Sequence, residues 1–443
     1  MSRECGTDSG GQIQAVYDFD AFLCLSFSKF AYICVFKSTI KMSALQISEI
    51  YKAQQVLKDV ARHPKIIGPT DLSKDCTVYL KPENLQYTGS FKLRGAYYKI
   101  SQLSDEEKER GVIACSAGNH AQGVALGAKH NGIKALICLP AGAPISKIEA
   151  TKRLGAEVCL VPGVYDDAYN KAVELKEEFG YTFVHPFDDP LVIAGQGTIG
   201  LEIIEELPEV EAIVVPVGGG GLISGIAFAV KTLRPDIKVY GVQAAGAPSM
   251  ERSMSEKKAV HLDSVSTIAD GIAVKEPGVN TFEMCQKYVD EIVTVTDDEI
   301  SAAILALIEK QKLIAEGAGA TPVAAVMFDK LPVKGKKVVC MVSGGNIDVT
   351  ILNRVITRGM MMGGRMCMLT LELDDKPGQL SAVSEIIAKS GGNIISVTHE
   401  RTKATNHINS CSLHVEMETR DKEHVAMIKK ALEDAGFPVV HGY

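Results

Sequence analysis

The sequence of 443 residues has no tryptophan, and aromatic residues make up only 6% of it. It also has no excess of basic residues, because 47 Lys and Arg are outweighed by 54 Asp and Glu, for a net charge of −7. Proteins that hold a nucleic-acid backbone usually carry a positive patch, so no polynucleotide partner is expected. The 40 glycines, by contrast, indicate many tight turns between strands and helices, which is typical of an α/β enzyme.

The 11 cysteines have no metal-binding spacing such as C-x-x-C. Their odd number and scattered positions favour free thiols in a reducing compartment over a set of disulfides. Several end or interrupt apolar runs and are expected to fill the core. We therefore predict a cytoplasmic protein with no metal site. The cysteines in these runs are Cys115, Cys138, Cys159 and Cys340.

The first 41 residues differ in composition from the rest of the chain. Their apolar run at 21–36, AFLCLSFSKFAYICVF, contains Lys29 and is shorter than the roughly 20 residues that cross a membrane. A secretory signal begins with positive charge, whereas here a lone Arg3 is accompanied by acidic residues. We expect residues 1–42 to be a disordered, nonessential extension that reflects the choice of start site. A membrane or organelle tether is the alternative.

Between residues 66 and 350, short apolar runs alternate with amphipathic stretches, as expected for parallel strands joined by crossover helices. In such sheets, ligands bind beyond the carboxyl ends of the strands. The chemistry is therefore expected at the turns that follow the strands. Buried strands are predicted at 112–115, 135–139, 157–161, 212–217, 238–242 and 337–342.

Three of these turns carry unusual residues. Gly218, Gly219, Gly220 and Gly221 follow the strand AIVVPV and precede a helix, where backbone N–H groups and the helix N-terminus can hold a phosphate. Their spacing is not the G-x-G-x-x-G of a dinucleotide site. The second turn, CSAGNH at 115–120, offers donors for a carboxylate or a phenolic oxygen, although alone it could be a helix cap. The third, SGGN at 343–346, is alone more typical of an ordinary turn.

A lysine completes this set of groups. Lys92 follows Ser90 and Phe91 in LKPENLQYTGSFKLRGA and begins an apolar helix. Most lysines are exposed, but a lysine held in an apolar site loses its charge more readily, and its neutral amine can form a Schiff base. A lysine, a glycine-rich phosphate loop and an asparagine in one α/β crevice are what covalently held pyridoxal phosphate requires.

These residues resemble the fold-type II pyridoxal-phosphate enzymes, and among them the threonine dehydratases (threonine ammonia-lyases). The resemblance covers about residues 45 to 355 and rests on SFKLRGA, SAGNHAQG, PVGGGGL and MVSGGN, which occur in the family's order. It implies a tryptophan synthase β-like catalytic domain with parallel sheets, at 43–360.

The resemblance also implies a role for each residue at the site. Lys92 would bind the cofactor covalently and later take the α-proton, and Phe91 would pack against the ring. Asn119 would meet the cofactor's 3-oxygen, Ser343 would bond the pyridine nitrogen, and the loop from Gly218 to Leu222 would hold the phosphate. The substrate carboxylate would be held by Ser116, Gly118, Asn119 and His120, with help from Ser90.

The implied reaction is β-elimination from L-threonine to 2-oxobutanoate and ammonia, with L-serine as a second substrate. Ser343 does not keep the ring nitrogen protonated as an aspartate would, so a long-lived carbanion is disfavoured and the hydroxyl is lost promptly. The cofactor's phosphate would protonate that hydroxyl. Such enzymes serve isoleucine biosynthesis or threonine catabolism.

The sequence also allows three alternative functions. Serine racemases resemble the sequence too, but they carry a second serine where Ala117 stands, and it is their acid on the opposite face of the substrate. They also bind a divalent ion through acidic residues, where this sequence has QAAGAPS at 243–249. A racemase or a β-replacement enzyme is thus a minor alternative. A noncatalytic amino-acid sensor is disfavoured because Lys92, the loop glycines and Ser343 are all present.

The C-terminal part has the order β-α-β-β-α-β. Strands are predicted at 366–373, 394–400, 410–416 and 437–440, and helices at 378–390 and 422–435. The loop DDKPGQL and the turn GGN resemble an ACT domain, a ferredoxin-like α+β module that often binds amino acids at a paired interface. It would cover 364–443.

This module implies regulation and assembly. An amino-acid effector is expected near Asp375, Gly378 and Asn393, although a dimerisation module without a ligand is the alternative. A single module resembles the shorter type of threonine dehydratase, so isoleucine is not assigned as the effector. A homodimer or homotetramer is expected.

Overall fold

The computed structural model describes residues 45–401 and 410–442. The predicted extension at 1–42 lies outside these residues. None of the described helices is long and apolar enough to cross a membrane. The strands are β1 (Ile67–Thr70), β2 (Thr77–Pro82), β3 (Val112–Cys115), β4 (Ala135–Pro140), β5 (Glu157–Val161), β6 (Thr182–Phe183), β7 (Ala212–Pro216), β8 (Lys238–Ala244), β9 (Glu291–Val295), β10 (Lys337–Val342), β11 (Met366–Asp374), β12 (Asn393–Glu400), β13 (Ser410–Glu418) and β14 (Val439–Gly442).

The α-helices connect these strands and cover the sheets. They are α1 (Ile47–Leu57), α2 (Lys92–Ser101), α3 (Asp105–Arg110), α4 (Asn119–His130), α5 (Ile145–Arg153), α6 (Tyr165–Phe179), α7 (Pro190–Glu206), α8 (Gly221–Leu233), α9 (Ser249–Glu256), α10 (Val279–Tyr288), α11 (Asp297–Ala306), α12 (Gly317–Met327), α13 (Val349–Met362), α14 (Gln379–Lys389) and α15 (Lys422–Asp434).

The first ten strands form two sheets. A six-stranded sheet has the order β1-β2-β10-β7-β8-β9, in which only β1 and β2 pair antiparallel. The second sheet, β5-β4-β3-β6, is parallel throughout. Every residue of β7 is buried, and strands covered on both faces read as continuous apolar runs. The predicted α/β fold with parallel sheets is confirmed, and each of the six predicted strands matches within two residues at either end.

The last four strands form an antiparallel sheet in the order β12-β13-β11-β14. Apolar residues of α14 and α15, including Val383 and Ile428, share its core. The element order β-α-β-β-α-β is the one predicted and is that of a ferredoxin-like unit. The final strand begins at Val439 rather than at the predicted position 437. The reason is that the Phe437 N–H still bonds to the Leu432 carbonyl at the end of α15, at 2.9 Å.

A group of charged side chains is buried beneath the start of α2. Arg94 is fully buried and bonds both carboxylate oxygens of Glu83, at 2.8 and 2.7 Å. It also donates to Glu202 of α7 at 3.0 Å, and Lys81 lies 2.9 Å from the same carboxylate. Because two-pronged arginine–carboxylate pairs constrain direction as well as distance, this cluster ties the first turn of α2 to α7 and to the segment after β2.

Candidate active site

A cavity of about 860 Å³ lies beyond the carboxyl ends of β3, β7 and β10. It brings together the residues that the sequence assigned to the cofactor and the substrate, with one exception. Ser90, expected to assist, is fully buried and does not line it. The predicted residues in its wall are Phe91, Lys92, Ser116, Gly118, Asn119, His120, Gly218, Gly219, Gly220, Gly221, Leu222 and Ser343.

The position of Lys92 is set by contacts just before α2. The Phe91 N–H donates to the Ser343 carbonyl at 3.1 Å, and a backbone bridge joins Ser90 to Gly344. The segment before α2 is therefore fastened to the turn after β10. Lys92 begins the helix at this junction, beside a Ser343 that is only 2% exposed.

The amine of Lys92 is enclosed in the cavity wall. Its Nζ donates to the Pro186 carbonyl at 2.6 Å and lies 5.3 Å from the centroid of the Phe91 ring. Burial lowers the pKa of Lys92 to about 8, although the nearby Glu316 favours the charged form. A neutral, nucleophilic amine is therefore accessible near neutral pH.

The glycine loop between β7 and α8 has no room for side chains. A Cβ at Gly219 would lie 2.5 Å from ring atoms of Phe187, and one at Gly221 would lie 2.8 Å from the Phe187 backbone. Within the described part of the chain, the N–H groups of Gly218, Gly219 and Gly220 donate to no protein acceptor. Unpaired N–H groups at a helix N-terminus suit a phosphate.

Asn119 belongs to a chain of hydrogen bonds that the sequence did not predict. Its Nδ2 donates to Glu316 Oε1 at 2.8 Å, and its Oδ1 accepts from Asn346 at 2.7 Å. Asn346 also donates to the Thr88 carbonyl at 2.7 Å. Burial raises the pKa of Glu316 to about 7, so a carboxylic acid that is half protonated near neutrality borders the cavity. The only sequence signal for Glu316 was its place before the glycine-rich start of α12.

The turn from Ser116 to His120 leads into α4. Ser116 Oγ accepts from the Gly118 N–H at 3.1 Å. The His120 Nε2 lies 2.8 Å from the Val184 carbonyl, which can only accept, so Nε2 carries the proton. Burial lowers the pKa of His120 to about 3. The imidazole is therefore neutral, and its Nδ1, buried and without a partner in the described residues, can only accept. In this neutral form the side chain of His120 has no free N–H to donate into the cavity, whose wall it lines.

Comparison with known proteins identifies the family. A sequence model described as "Pyridoxal-phosphate dependent enzyme" matches residues 65–344. The L-threonine ammonia-lyase of Thermotoga maritima is 50% identical over 397 residues, which make up 89% of this chain and 99% of that protein. The chain belongs to the pyridoxal-phosphate dependent enzyme family. Its cofactor is pyridoxal phosphate, as predicted, and the enclosed lysine and the side-chain-free glycine loop fit that group.

Solved structures of this enzyme family have the same fold. The processed form of threonine deaminase isoform 2 from Solanum lycopersicum is 40% identical, with a TM-score of 0.67, and the match covers 71% of this chain and 89% of that one. Maize serine racemase is 33% identical, with a TM-score of 0.67, over 72% of this chain and 98% of that one.

The residues predicted to hold an effector in this pyridoxal-phosphate enzyme do not come together within one chain. Asp375 and Gly378 line a second cavity, of about 190 Å³, at the end of β11. Asn393 instead pairs with Glu418 at the opposite end of β13, where its Nδ2 donates to the Glu418 carboxylate at 2.8 Å. The nine residues of β13 separate the two ends by roughly 26 Å.

Proposed function

We propose that this protein is an L-threonine ammonia-lyase, which converts L-threonine to 2-oxobutanoate and ammonia and also converts L-serine to pyruvate. One observation carries the proposal: Lys92, the glycine loop, Asn119 and Ser343 line a single cavity in a chain that is 50% identical to an L-threonine ammonia-lyase. Because one methyl group changes binding by only about 1–3 kcal/mol, a pocket for threonine also admits serine.

Different residues of the cavity would hold different parts of the cofactor. When bound, pyridoxal phosphate draws electrons from the substrate's α-carbon and makes its proton acidic. Lys92 would hold the cofactor covalently, and Phe91 would pack against its ring. Asn119 would bond the 3-oxygen and Ser343 the ring nitrogen. The N–H groups from Gly218 to Leu222 would bind the phosphate.

Lys92 is the base that takes the α-proton. Burial lowers the pKa of its amine to about 8, which raises the neutral fraction able to accept a proton. The negative charge of Glu316 opposes this effect, because it favours the protonated amine and so limits how far the pKa of Lys92 falls. The two opposing effects keep Lys92 able both to accept and to return a proton near neutral pH.

The start of α4 binds the substrate carboxylate. Ser116 and Asn119 offer side-chain donors there, and the N-terminus of the helix adds partial positive charge. Because the His120 imidazole is neutral and bonded to Val184, its contribution is assigned to its backbone N–H. Because Lys92 lines the same cavity, this arrangement would orient the substrate's α-carbon toward its amine.

The proposal is tested by an absorbance spectrum of the purified protein followed by addition of L-threonine. We expect a visible cofactor band and release of 2-oxobutanoate, read with a coupled dehydrogenase. Both should be lost in Lys92→Ala, whereas Lys99→Ala, a lysine of the same helix paired with Asp189, should keep both. A coloured protein that releases no 2-oxo acid from threonine or serine would refute the lyase assignment.

Serine racemase is the second candidate, because the maize enzyme has the same fold at a TM-score of 0.67. Ala117 argues against it. Ala117 lines the cavity and carries no group that could deliver a proton to the opposite face of the substrate. Incubation with L-serine should release pyruvate, and chiral chromatography of the same mixture should show no D-serine. D-serine as the main product would favour the racemase.

Residues 43–360 form the catalytic domain in this proposal, and 364–443 form an ACT regulatory domain. An amino acid would bind at the cavity that Asp375 and Gly378 line. Asn393 lies too far away to share that ligand within one chain, so its place in the site would require a second copy in a homodimer or homotetramer. All cysteines that the structure describes are free, which supports a reducing, cytoplasmic location.

Calorimetry on the Lys92→Ala protein tests the effector, because that variant cannot consume its ligand. Isoleucine, valine, serine and threonine would be titrated in turn. By linkage, the factor by which an effector changes the affinity for threonine equals the factor by which threonine changes the affinity for the effector. Asp375→Asn should weaken its binding and leave basal activity intact. Absence of heat for all four amino acids at millimolar concentration would refute the effector.

A further inference from the structure

The second cavity contains three side chains of a kind that binds metal ions. Asp375, His399 and Cys411 each offer one ligand atom, and these atoms all lie within 4.8 Å of one another. All three line the cavity of about 190 Å³ at the end of β11. Cys411 is buried, whereas Asp375 and His399 are exposed. A buried sulfur therefore lies beneath an oxygen and a nitrogen that solvent can reach.

The sheet register places these residues together. Leu373, near the end of β11, pairs with Cys411, and His399 of β12 pairs with Leu413. Residues opposite each other in a sheet point to the same face, as do alternate residues along one strand. His399 and Cys411 therefore share the face that packs on the helices, and Asp375 follows β11 directly at that edge. Two of the three residues, His399 and Cys411, are thus held by strands, and Asp375 is the first residue after a strand.

The three ligand types are those of zinc-like ions. Zn²⁺ takes sulfur at about 2.3 Å and nitrogen or oxygen at about 2.0–2.2 Å. Atoms around such a tetrahedral ion are then about 3.6 Å apart. A spread of at most 4.8 Å between the ligand atoms thus needs only small side-chain rotations to close around an ion.

The surroundings allow a fourth ligand. The cavity opens to solvent beside Asp375 and His399, so water or a ligand amine can complete the coordination. Arg401 pairs with Oδ1 of Asp375 at 3.1 Å, and a carboxylate can bond a cation through its other oxygen. Lys376 pairs with Asp374 at 2.9 Å. Their opposite charges cancel, so this pair adds no net positive charge at the edge of the cavity.

We propose that Asp375, His399 and Cys411 form a binding site for a divalent zinc-class transition-metal ion in the C-terminal unit. The thiol of Cys411 loses its proton to solvent when its sulfur bonds the ion, so binding weakens as pH falls. The site is separate from the catalytic cavity and does not depend on the proposed reaction. Because these residues line the same cavity in which an amino-acid effector is proposed to bind, the ion would also anchor the amine and carboxylate of that amino acid.

Cobalt(II) is the probe, added to the chelator-treated, full-length holoenzyme. We expect one Co²⁺ per chain, with visible d–d bands at longer wavelength than the cofactor and a thiolate-to-cobalt charge-transfer band. Zn²⁺ should displace both signals. Cys411→Ser should remove the charge-transfer band and weaken binding at least about tenfold. Cys367→Ser, which removes a buried thiol at the other end of the same sheet, should leave both unchanged.

A second pair of variants keeps the test decisive if Cys411→Ser folds poorly. His399 is exposed, so His399→Gln should preserve the fold while weakening Co²⁺ binding at least about tenfold. His414→Gln is its control, because His414 bonds Thr370 on the opposite face of the sheet. Absence of Co²⁺ binding, binding without the charge-transfer band, or equal loss in His414→Gln would overturn the proposal.

Discussion

Glu316 is a buried carboxylic acid at the edge of the catalytic cavity. It is 4% exposed and accepts a hydrogen bond from Asn119 at 2.8 Å. Burial raises its pKa to about 7, and neither that hydrogen bond nor the charge of Lys92 cancels the effect. The folded protein therefore keeps a proton on Glu316 at a pH where the unfolded chain has released it.

Because the folded state retains this proton, we expect the free energy of unfolding to depend on pH. Between about pH 4.5 and pH 7 the folded state binds more protons than the unfolded state, so the free energy of unfolding falls as the pH rises. The Glu316→Gln variant should lose this dependence, worth up to about 3 kcal/mol across the window. Urea unfolding of cofactor-free protein near pH 5 and near pH 7 measures it. Glu109→Gln, at an exposed position, should behave as the wild type does. An unchanged slope in Glu316→Gln would contradict the assignment.

The turn between β7 and α8 depends on the absence of a side chain at Gly219. A methyl group there would lie 2.5 Å from the Phe187 ring and would have to displace the ring or the loop. Overpacking of this kind costs about 1–3 kcal/mol. Gly219→Ala should therefore weaken pyridoxal-phosphate binding roughly tenfold or more, as measured by absorbance titration of the cofactor-free protein. Gly142→Ala, where a methyl group meets nothing within 4 Å, is the matched control. Equal affinities in both variants would count against the phosphate role of the loop.

The start of α2 depends on its buried charges. Removing Arg94 leaves Glu83 and Glu202 without their main partner inside the protein, and breaking a buried pair costs about 3–5 kcal/mol. Arg94→Met should lower the free energy of unfolding by this amount in urea denaturation. Arg234, an exposed residue paired with Asp236, serves as the comparison, and Arg234→Met should cost less than about 1 kcal/mol. If both variants lose a similar amount of unfolding free energy, the buried cluster contributes little to stability.

These elements also show what the sequence could and could not predict. AIVVPV and the glycines after it identified a buried strand and a turn, because both signals are local. The partners of Arg94 were not predictable, since Glu202 is 108 residues away and no periodicity links the two. Glu316 was missed for the same reason, as its partner Asn119 is 197 residues away. His120 is neutral because its ring is buried, and only the fold creates that burial.

At the scale of the whole molecule, an ion pair joins the two parallel-sheet units across the catalytic cavity. Lys147 of α5 lies beside the four-stranded sheet, and its Nζ is 2.7 Å from Asp270, in the segment that packs near the six-stranded sheet. Both residues line the cavity. The contact is therefore placed to hold the two units in one arrangement around the substrate.

A charge exchange tests whether this ion pair helps to bind the substrate. Lys147→Asp sets two negative charges against each other and should raise the KM for L-threonine. Because the carboxylate is largely exposed, the effect should not exceed about fivefold, or about 1 kcal/mol. The double variant Lys147→Asp with Asp270→Lys restores opposite charges and should recover most of the loss. Lys152→Asp, which breaks an exposed pair with Glu149 within α5, should leave the KM unchanged. If the double variant is no better than Lys147→Asp, the two side chains act separately and the pair does not couple the sheets.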